Sequence, residues 1–293
     1  MSGKAKKSEN ISKLGRLTPI QLVGITILCI IAAFYLYPLF WMFDSSFRPA
    51  TDIFQFPPVL FQHFFKAIQD YSLQSFKTAI VDWNVLLSFL MSVIVTVGGI
   101  LGTLLVCSLC AYAFAYLEFP GRSGLFILIL GTMMLPATTM VVPFYKVIST
   151  LGLSDNLLAL ILPAAMSAFG VFLLRQFYIK IPRALMESAR IDGASHIRIW
   201  WNVIIPLSRP ALAALSIVQF RTLWNDFLNP MIILKSDTLF TLPVKIQVMD
   251  SQHFNKPYDA IIATGFLTAL VPMIFFMIFQ RQFIEGLTGG MKE

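Results

Sequence analysis

Apolar residues fall in six long blocks, at about 20–43, 85–109, 124–145, 157–176, 209–231 and 259–280, with polar and charged segments between them. Each block supplies the ~20 residues that a helix needs to cross a hydrocarbon core of about 30 Å. Lipid offers no hydrogen-bond partner to an open backbone, so the blocks are expected as helices and not as strands. The pattern predicts an all-α integral membrane protein with six transmembrane helices. Its divisions are a tail over 1–19, a membrane domain over 20–280 and a second tail over 281–293. Pro136, Pro143, Pro163, Pro230 and Pro272 lie inside blocks, where membrane helices tolerate them with local kinks. The first block is longer than the apolar core of a signal peptide, so it is read as a retained helix.

Composition agrees. Hydrophobic residues make up 57% of the 293 and charged ones only 13%, against about 25% in a soluble domain. That leaves too little polar surface to cover a water-soluble globule. The net charge of +7 is a topology signal. Lys4, Lys6, Lys7, Lys13, Arg16, Arg122, Arg175, Lys180, Arg183, Arg190, Arg198, Arg209, Arg281 and Lys292 fall on one side of the expected bundle. Arg48, Lys66, Lys77, Lys146, Lys235, Lys245 and Lys256 are spread over longer loops on the other. Positive charge concentrates on the cytoplasmic side, so both termini are expected there, and no nucleic-acid partner is needed.

Little in the chain points to catalysis or metal binding. Cys107 and Cys110 have C-x-x-C spacing, but no second pair or His cluster accompanies them, and with Cys29 they read as small packing residues. His63, His196 and His253 lie in separate loops and form no metal or catalytic set. No phosphate-cradling G-x4-G-K-[ST] motif occurs, so the chain is not expected to bind ATP. The long loop 44–84 is aromatic (Phe54, Phe56, Phe61, Phe64, Phe65, Tyr71, Phe76) and suits the membrane interface or a partner. Gly98 and Gly102 form a G-x-x-x-G pair that would admit another helix closely, either of a partner or of the same chain.

The most informative segment is the cytoplasmic loop 181–210. Pro182 suits a first helical turn, and Glu187 complements the positive end of that helix. Gly193 permits a left-handed turn, and Ser195 is a plausible N-cap for a second short helix with Ile197, Trp200 and Trp201. Pro206 and Pro210 bound the next membrane segment. The picture is two short helices on the cytoplasmic face, suited to docking another protein.

Glu187-Ser188-Ala189, three residues, Gly193, nine residues and Val203-Ile204-Ile205-Pro206 is similar to the E-A-A-x3-G-x9-I-x-L-P loop of ABC importer permeases. Ser188, Val203 and Ile205 depart from that pattern and are conservative in size. The likeness extends over nearly the whole chain, through Tyr37-Pro38-Leu39-Phe40-Trp41, Ala111-Tyr112-Ala113-Phe114-Ala115, Met134-Leu135-Pro136 and Leu151-Gly152-Leu153 with Asp155. It continues in Trp224-Asn225-Asp226-Phe227-Leu228 and the closing Gly286-Leu287-Thr288-Gly289-Gly290. These motifs resemble the carbohydrate-uptake group, specifically the second membrane subunit of maltose-type importers.

That resemblance implies a type I importer permease in a bacterial inner membrane, moving oligosaccharides by alternating access. It implies a second homologous permease, two ATPase subunits holding ATP and Mg, and an extracellular or periplasmic solute-binding protein. Glu187, Ser188, Ala189, Asp192, Gly193, Ala194, His196, Ile197, Trp200 and Pro206 would form the coupling helix seated in the ATPase. Residues Gly286 to Gly290 would reach the ATPase dimer interface, although composition alone reads as a disordered tail. An ion- or proton-coupled secondary transporter working without an ATPase is the alternative. Internal repeats and broken helices would mark it, and the blocks show no duplication.

Block five contains two ionisable residues, Arg221 and Asp226. An Arg near the bilayer centre costs roughly 2.5–3.5 kcal/mol, so it should face a cavity or a partner. Either Arg221 pairs with a polar group on a neighbouring helix, of this chain or of the partner permease, or it lines the pathway and binds the carboxylate of a uronate sugar through bidentate hydrogen bonds. Trp224, Asn225 and Asp226 could line the same path or serve packing.

Overall fold

The computed structural model describes residues 18–53, 72–252 and 256–288. The basic tail up to residue 17, the aromatic loop 54–71, His63, His253 and residues 289–293, with Gly289 and Gly290, lie outside the described residues. Among those described, the structure is helical, with no strand.

Helix α1, Pro19–Ser46, starts at a capping box in which the Thr18 hydroxyl accepts from Gln21 N and the Gln21 side chain accepts from Thr18 N. Pro19 at the first helical position has no N–H to leave unpaired. Helix α2, Val85–Tyr116, is followed by α3, Arg122–Thr132, and α4, Val141–Thr150. Helices α5, Leu158–Ala164, and α6, Ala168–Tyr178, form one apolar span of 21 residues. Two short helices, α7, Ala184–Ile191, and α8, His196–Leu207, lead to α9, Arg209–Trp224. Helices α10, Leu228–Ile233, α11, Leu242–Asp250, and α12, Tyr258–Thr288, complete the chain.

Four spans are long and apolar enough to cross a membrane, namely α1, α2, α5 with α6, and α12 through Gln280; α8 with α9 makes a fifth if the bent pair counts as one. The third expected span, 124–145, is not continuous. Helix α3 stops at Thr132 because Pro136 sits in extended conformation, and the chain recovers through a 3-10 turn at Ala137–Met140. The residue ahead of a proline is pushed out of helical geometry, which ends the helix before it. The fifth, 209–231, breaks after Trp224 and resumes at Leu228. The last helix, in contrast, overruns its expected end, and the glycine-bearing segment through Thr288 is helical.

Helix α2 is the axis of the bundle and packs on α5, α6 and α9. Its buried face is made of small or hydroxyl-bearing residues, Ser88, Ser92, Thr96, Gly99, Thr103, Cys107 and Ala111. Leu86, Leu90, Val97, Leu101 and Leu105 point outward. That inversion suits lipid, where close backbone approach and hydrogen bonds hold helices together. A Cβ on Gly98 would lie 3.1 Å from Ile161, and one on Gly102 2.9 Å from Ala165. The G-x-x-x-G pair therefore admits α5 of the same chain. Gly99 is tighter still, with Leu223 of α9 at 2.6 Å from the position of a Cβ.

Contacts between loops fix the two ends of the bundle. At one end Tyr116 of α2 donates to the Tyr178 carbonyl at 2.6 Å, which brings loop 117–121 to the loop after α6. At the other, Asp155 takes a left-handed conformation (φ 57°), and its carboxylate accepts from Lys235 N, Ser236 N and the Ser236 hydroxyl. The two loops that the charge count placed on one side thus share one end.

Candidate functional site

Loop 181–210 is a built element. Helix α7 ends at Asp192, and Gly193 turns the chain at φ 79°, where any side chain is strained. The turn closes through Gly193 N to Arg190 O and Ala194 N to Ala189 O, both 3.0 Å. Ser195 then caps α8, its hydroxyl accepting from Arg198 N. A π turn at Trp200–Ile204 follows, and at Ser208 the chain bends by 80° into α9.

The loop has an inner and an outer face. Met186, Ile199, Trp200 and Ile204 are buried with Tyr112, Tyr178 and Leu215. Ile191, Ile197 and Trp201 are 87%, 64% and 61% exposed, beside exposed Glu187, Ser188, Asp192, His196 and Pro206. Trp200, expected with the docking residues, is turned inward: it is 5% exposed and lies four residues before Ile204, which is fully buried in the same cluster. Its place outside is held by Trp201, four residues after Ile197. His196 Nδ1 and the hydroxyl of Tyr112 are 3.1 Å apart, tying the loop to α2.

In the fifth block the structure separates the expected residues. Trp224 is 2% exposed, stacks on Phe220 and donates its indole N–H to the Thr268 carbonyl at 3.1 Å. It is a packing residue. Arg221 and Asn225 line an open cleft of about 860 Å³ with Phe220, Thr222, Pro272 and Phe275. Among the described residues the Arg221 guanidinium has no ion pair, so the expected partner on a neighbouring helix of this chain is not found. Asp226 lies in a different cavity, of about 340 Å³, lined also by Phe144, Ser167, Gln219, Thr222 and Asn229. The two clefts share Thr222.

Sequence reasoning missed a polar cluster at the break between α5 and α6. There Thr103 Oγ1 lies 2.7 Å from the Ala164 carbonyl and accepts from Gln219 Nε2 at 2.8 Å. Gln219 Nε2 also reaches the Ala164 carbonyl at 3.4 Å. Cys107 Sγ approaches the Ala165 and Ser167 carbonyls at 3.5 and 3.4 Å. Side chains of α2 and α9 thus meet the Ala164 and Ala165 carbonyls, which the break releases inside the membrane, while the Ser167 carbonyl also accepts from Val171 N at 3.0 Å. The sequence shows Thr103 and Gln219 inside apolar blocks, but other polar residues share those blocks and nothing in the spacing singles these two out. The described residues contain no group of His, Cys, Asp and Glu able to hold a metal, and their cysteines are free.

A bundle of apolar spans, broken helices whose clefts hold Arg221 and Asp226, and a loop that exposes Ile191, Ile197 and Trp201 together fit a membrane transport subunit. The chain belongs to the family of binding-protein-dependent transport system inner membrane components, whose model matches residues 24–288. It is 34% identical over 271 residues to the arabinooligosaccharides transport system permease protein AraQ of Halalkalibacterium halodurans, covering 92% of this chain and 95% of that one. It is also 34% identical over 262 residues to the sn-glycerol-3-phosphate transport system permease protein UgpE of Pectobacterium atrosepticum, covering 88% and 92%. In fold it resembles a solved bacterial ABC transporter involved in import of the acidic polysaccharide alginate. The TM-score is 0.78 at 24% identity, over 89% of this chain and 95% of that chain.

Proposed function

We propose that this chain is one of two homologous permeases in an ATP-driven importer that carries oligosaccharides into the cytoplasm. Six crossings follow if α3 with α4 makes the third and α9 with α10 the fifth. Both termini then lie on the cytoplasmic side with loop 181–210. ATP and Mg would be held by two separate ATPase subunits, and a binding protein would deliver sugar from outside. The arabinooligosaccharide permease among the relatives supports the oligosaccharide class.

One observation carries the coupling role. The outer face of α7 and α8 offers Ile191, Ile197 and Trp201 to a partner, while the inner face is locked to α2 and α6. Exposed apolar side chains rimmed by charge mark protein docking surfaces, and a loop that is anchored can transmit a push. Gly286 to Gly290 would add a second ATPase contact, since α12 reaches Thr288.

The Arg221 cleft supports the acidic-sugar reading. An unpaired guanidinium on a membrane helix needs an anion, and a uronate carboxylate offers two parallel hydrogen bonds. Co-purification with the ATPase and ATP-driven uptake in proteoliposomes test the coupling role. Glu187→Lys and Gly193→Pro should lose both, and unaltered assembly and uptake in the two variants would sink it. Arg221→Leu should lower uptake of acidic oligosaccharides more than of neutral ones; equal loss argues against charge recognition.

A further inference from the structure

We propose that the cavity around Asp226 is a subsite for the hydroxyl groups of an uncharged sugar ring; this rests on reading the chain as a sugar permease. Three breaks in membrane helices meet on it. Met140 comes from the break between α3 and α4, Ser167 from that between α5 and α6, and Asp226 from that between α9 and α10. Irregular backbone at membrane depth persists where it is buried or lines a cavity. At about 340 Å³ the cavity is of the size of small-molecule sites, about 300–1,000 Å³.

The chemistry of the ligand follows from the hydrogen-bonding capacity left over. Asp226 Oδ1 accepts from Asn229 N at 3.3 Å and Oδ2 from Asn229 Nδ2 at 2.9 Å. A carboxylate oxygen has two lone pairs, so each keeps one. Gln219 uses its amide nitrogen on Thr103 and Ala164, which leaves Oε1 as an acceptor. Asn229 likewise keeps Oδ1, and the Thr222 hydroxyl donates to Val218 O and keeps its oxygen. On the donor side there are the Ser167 hydroxyl, whose oxygen accepts from Gly170 N, and the second N–H of Asn229 Nδ2.

Acceptors therefore outnumber donors, and a fitting ligand brings hydroxyl donors. A carboxylate or phosphate would add acceptors and negative charge beside Asp226, so an acidic group belongs across α9 at Arg221. The apolar lining from Phe144, Leu160 and Met166 matches the C–H face of a sugar ring and would be wasted on an inorganic cation.

Equilibrium dialysis of radiolabelled arabinotriose against the purified permease–ATPase complex, without binding protein, tests the subsite. Asp226→Asn should raise the Kd about tenfold, the loss of a charge-assisted hydrogen bond. Phe144→Leu, which leaves the Asp226–Asn229 contact untouched, should raise it several-fold. Unchanged Kd in both variants, no saturable binding by the wild type, or displacement of the sugar by sodium chloride but not choline chloride would each overturn the proposal. ATP-driven uptake by the wild-type importer is measured separately, so its failure would count against the permease reading and is distinguishable from loss of the subsite alone.

Discussion

The hydroxyl of Tyr112 lies 3.1 Å from Nδ1 of His196, joining the end of α2 to the first residue of α8. The Tyr112 ring also meets the His196 ring edge-on and packs on Tyr116. Tyr116 in turn donates to the Tyr178 carbonyl at the end of α6. Loop 181–210 is thereby fastened to α2, the axis of the bundle, which is itself tied to the end of α6. On the proposed coupling role, a displacement of α8 would reach α2 through side chains that are already in contact.

Tyr112→Phe keeps the ring and removes the bond, worth about 1 kcal/mol. The complex is expected to assemble, and uptake to fall about two- to fivefold with a smaller fall in ATP hydrolysis. The measurement is sugar moved per ATP hydrolysed in proteoliposomes. Parallel falls in the two rates would show that the contact only supports the fold.

Gly193 joins α7 to α8 at φ 79°, with open space where a Cβ would lie. Steric clash with a neighbour is therefore absent, and the cost of a side chain is the left-handed backbone itself, about 1–2 kcal/mol. Gly193→Ala is expected to weaken ATPase docking by about five- to thirtyfold. Gly193→Asn should do less, since Asn tolerates this conformation. The dissociation constant of the ATPase for the permease in detergent decides; equal affinity in wild type and Gly193→Ala would mean that the turn does not shape the docking face.

Apolar spans were legible because a membrane demands length and apolarity, and both are visible residue by residue; among the described residues four, or five with the bent pair, meet that demand. The breaks were not. Pro272 sits inside α12 without ending it, whereas Pro136 ends α3, so a proline alone does not say where the backbone opens. Asn225 closes α9 with no proline at all. The roles of Thr103, Cys107 and Gln219 were hidden for the same reason, because the Ala164 and Ala165 carbonyls are freed only once α5 and α6 are parted. In loop 181–210 the spacing exposed the turn at Gly193, but adjacent Trp200 and Trp201 could not be told apart. Burial of Trp200 itself, four residues before buried Ile204, shows that it faces inward.

Asp155 provides a pH test at the far end of the bundle. The Ser236 hydroxyl, and then the N–H groups of Lys235 and Ser236, hold its carboxyl below the ordinary 3.8. A lowered folded value means that the stabilisation is present above about pH 4 and is lost as the pH falls through that lowered value. An asparagine side chain at this position would keep the left-handed turn and an accepting oxygen without the charge. Asp155→Asn is therefore expected to lower the Tm of the purified complex at pH 7 and to bring the two proteins together as the pH drops below about 4. Curves that stay parallel across that range would exclude the ionised clasp.

The cluster at the break between α5 and α6 makes the sharpest stability prediction. Thr103 is at once partner to the Ala164 carbonyl and acceptor for Gln219. Thr103→Val removes both bonds and leaves Gln219 Nε2 with only the longer 3.4 Å contact to Ala164. An interhelical hydrogen bond in a membrane protein averages about 0.6 kcal/mol, and a buried polar group left unpaired costs about 1–3 kcal/mol. Thr103→Val is expected near 1–2 kcal/mol and Gln219→Leu near 1 kcal/mol. The double variant should cost less than their sum, because Gln219 has already lost its main partner in the first. Unfolding of the four proteins in a denaturant series in mixed micelles gives the coupling energy directly. Strict additivity would mean that Thr103 and Gln219 act independently and that the break is held by packing alone, in which case Gly99, tight against Leu223, becomes the residue that keeps α2 and α9 together there.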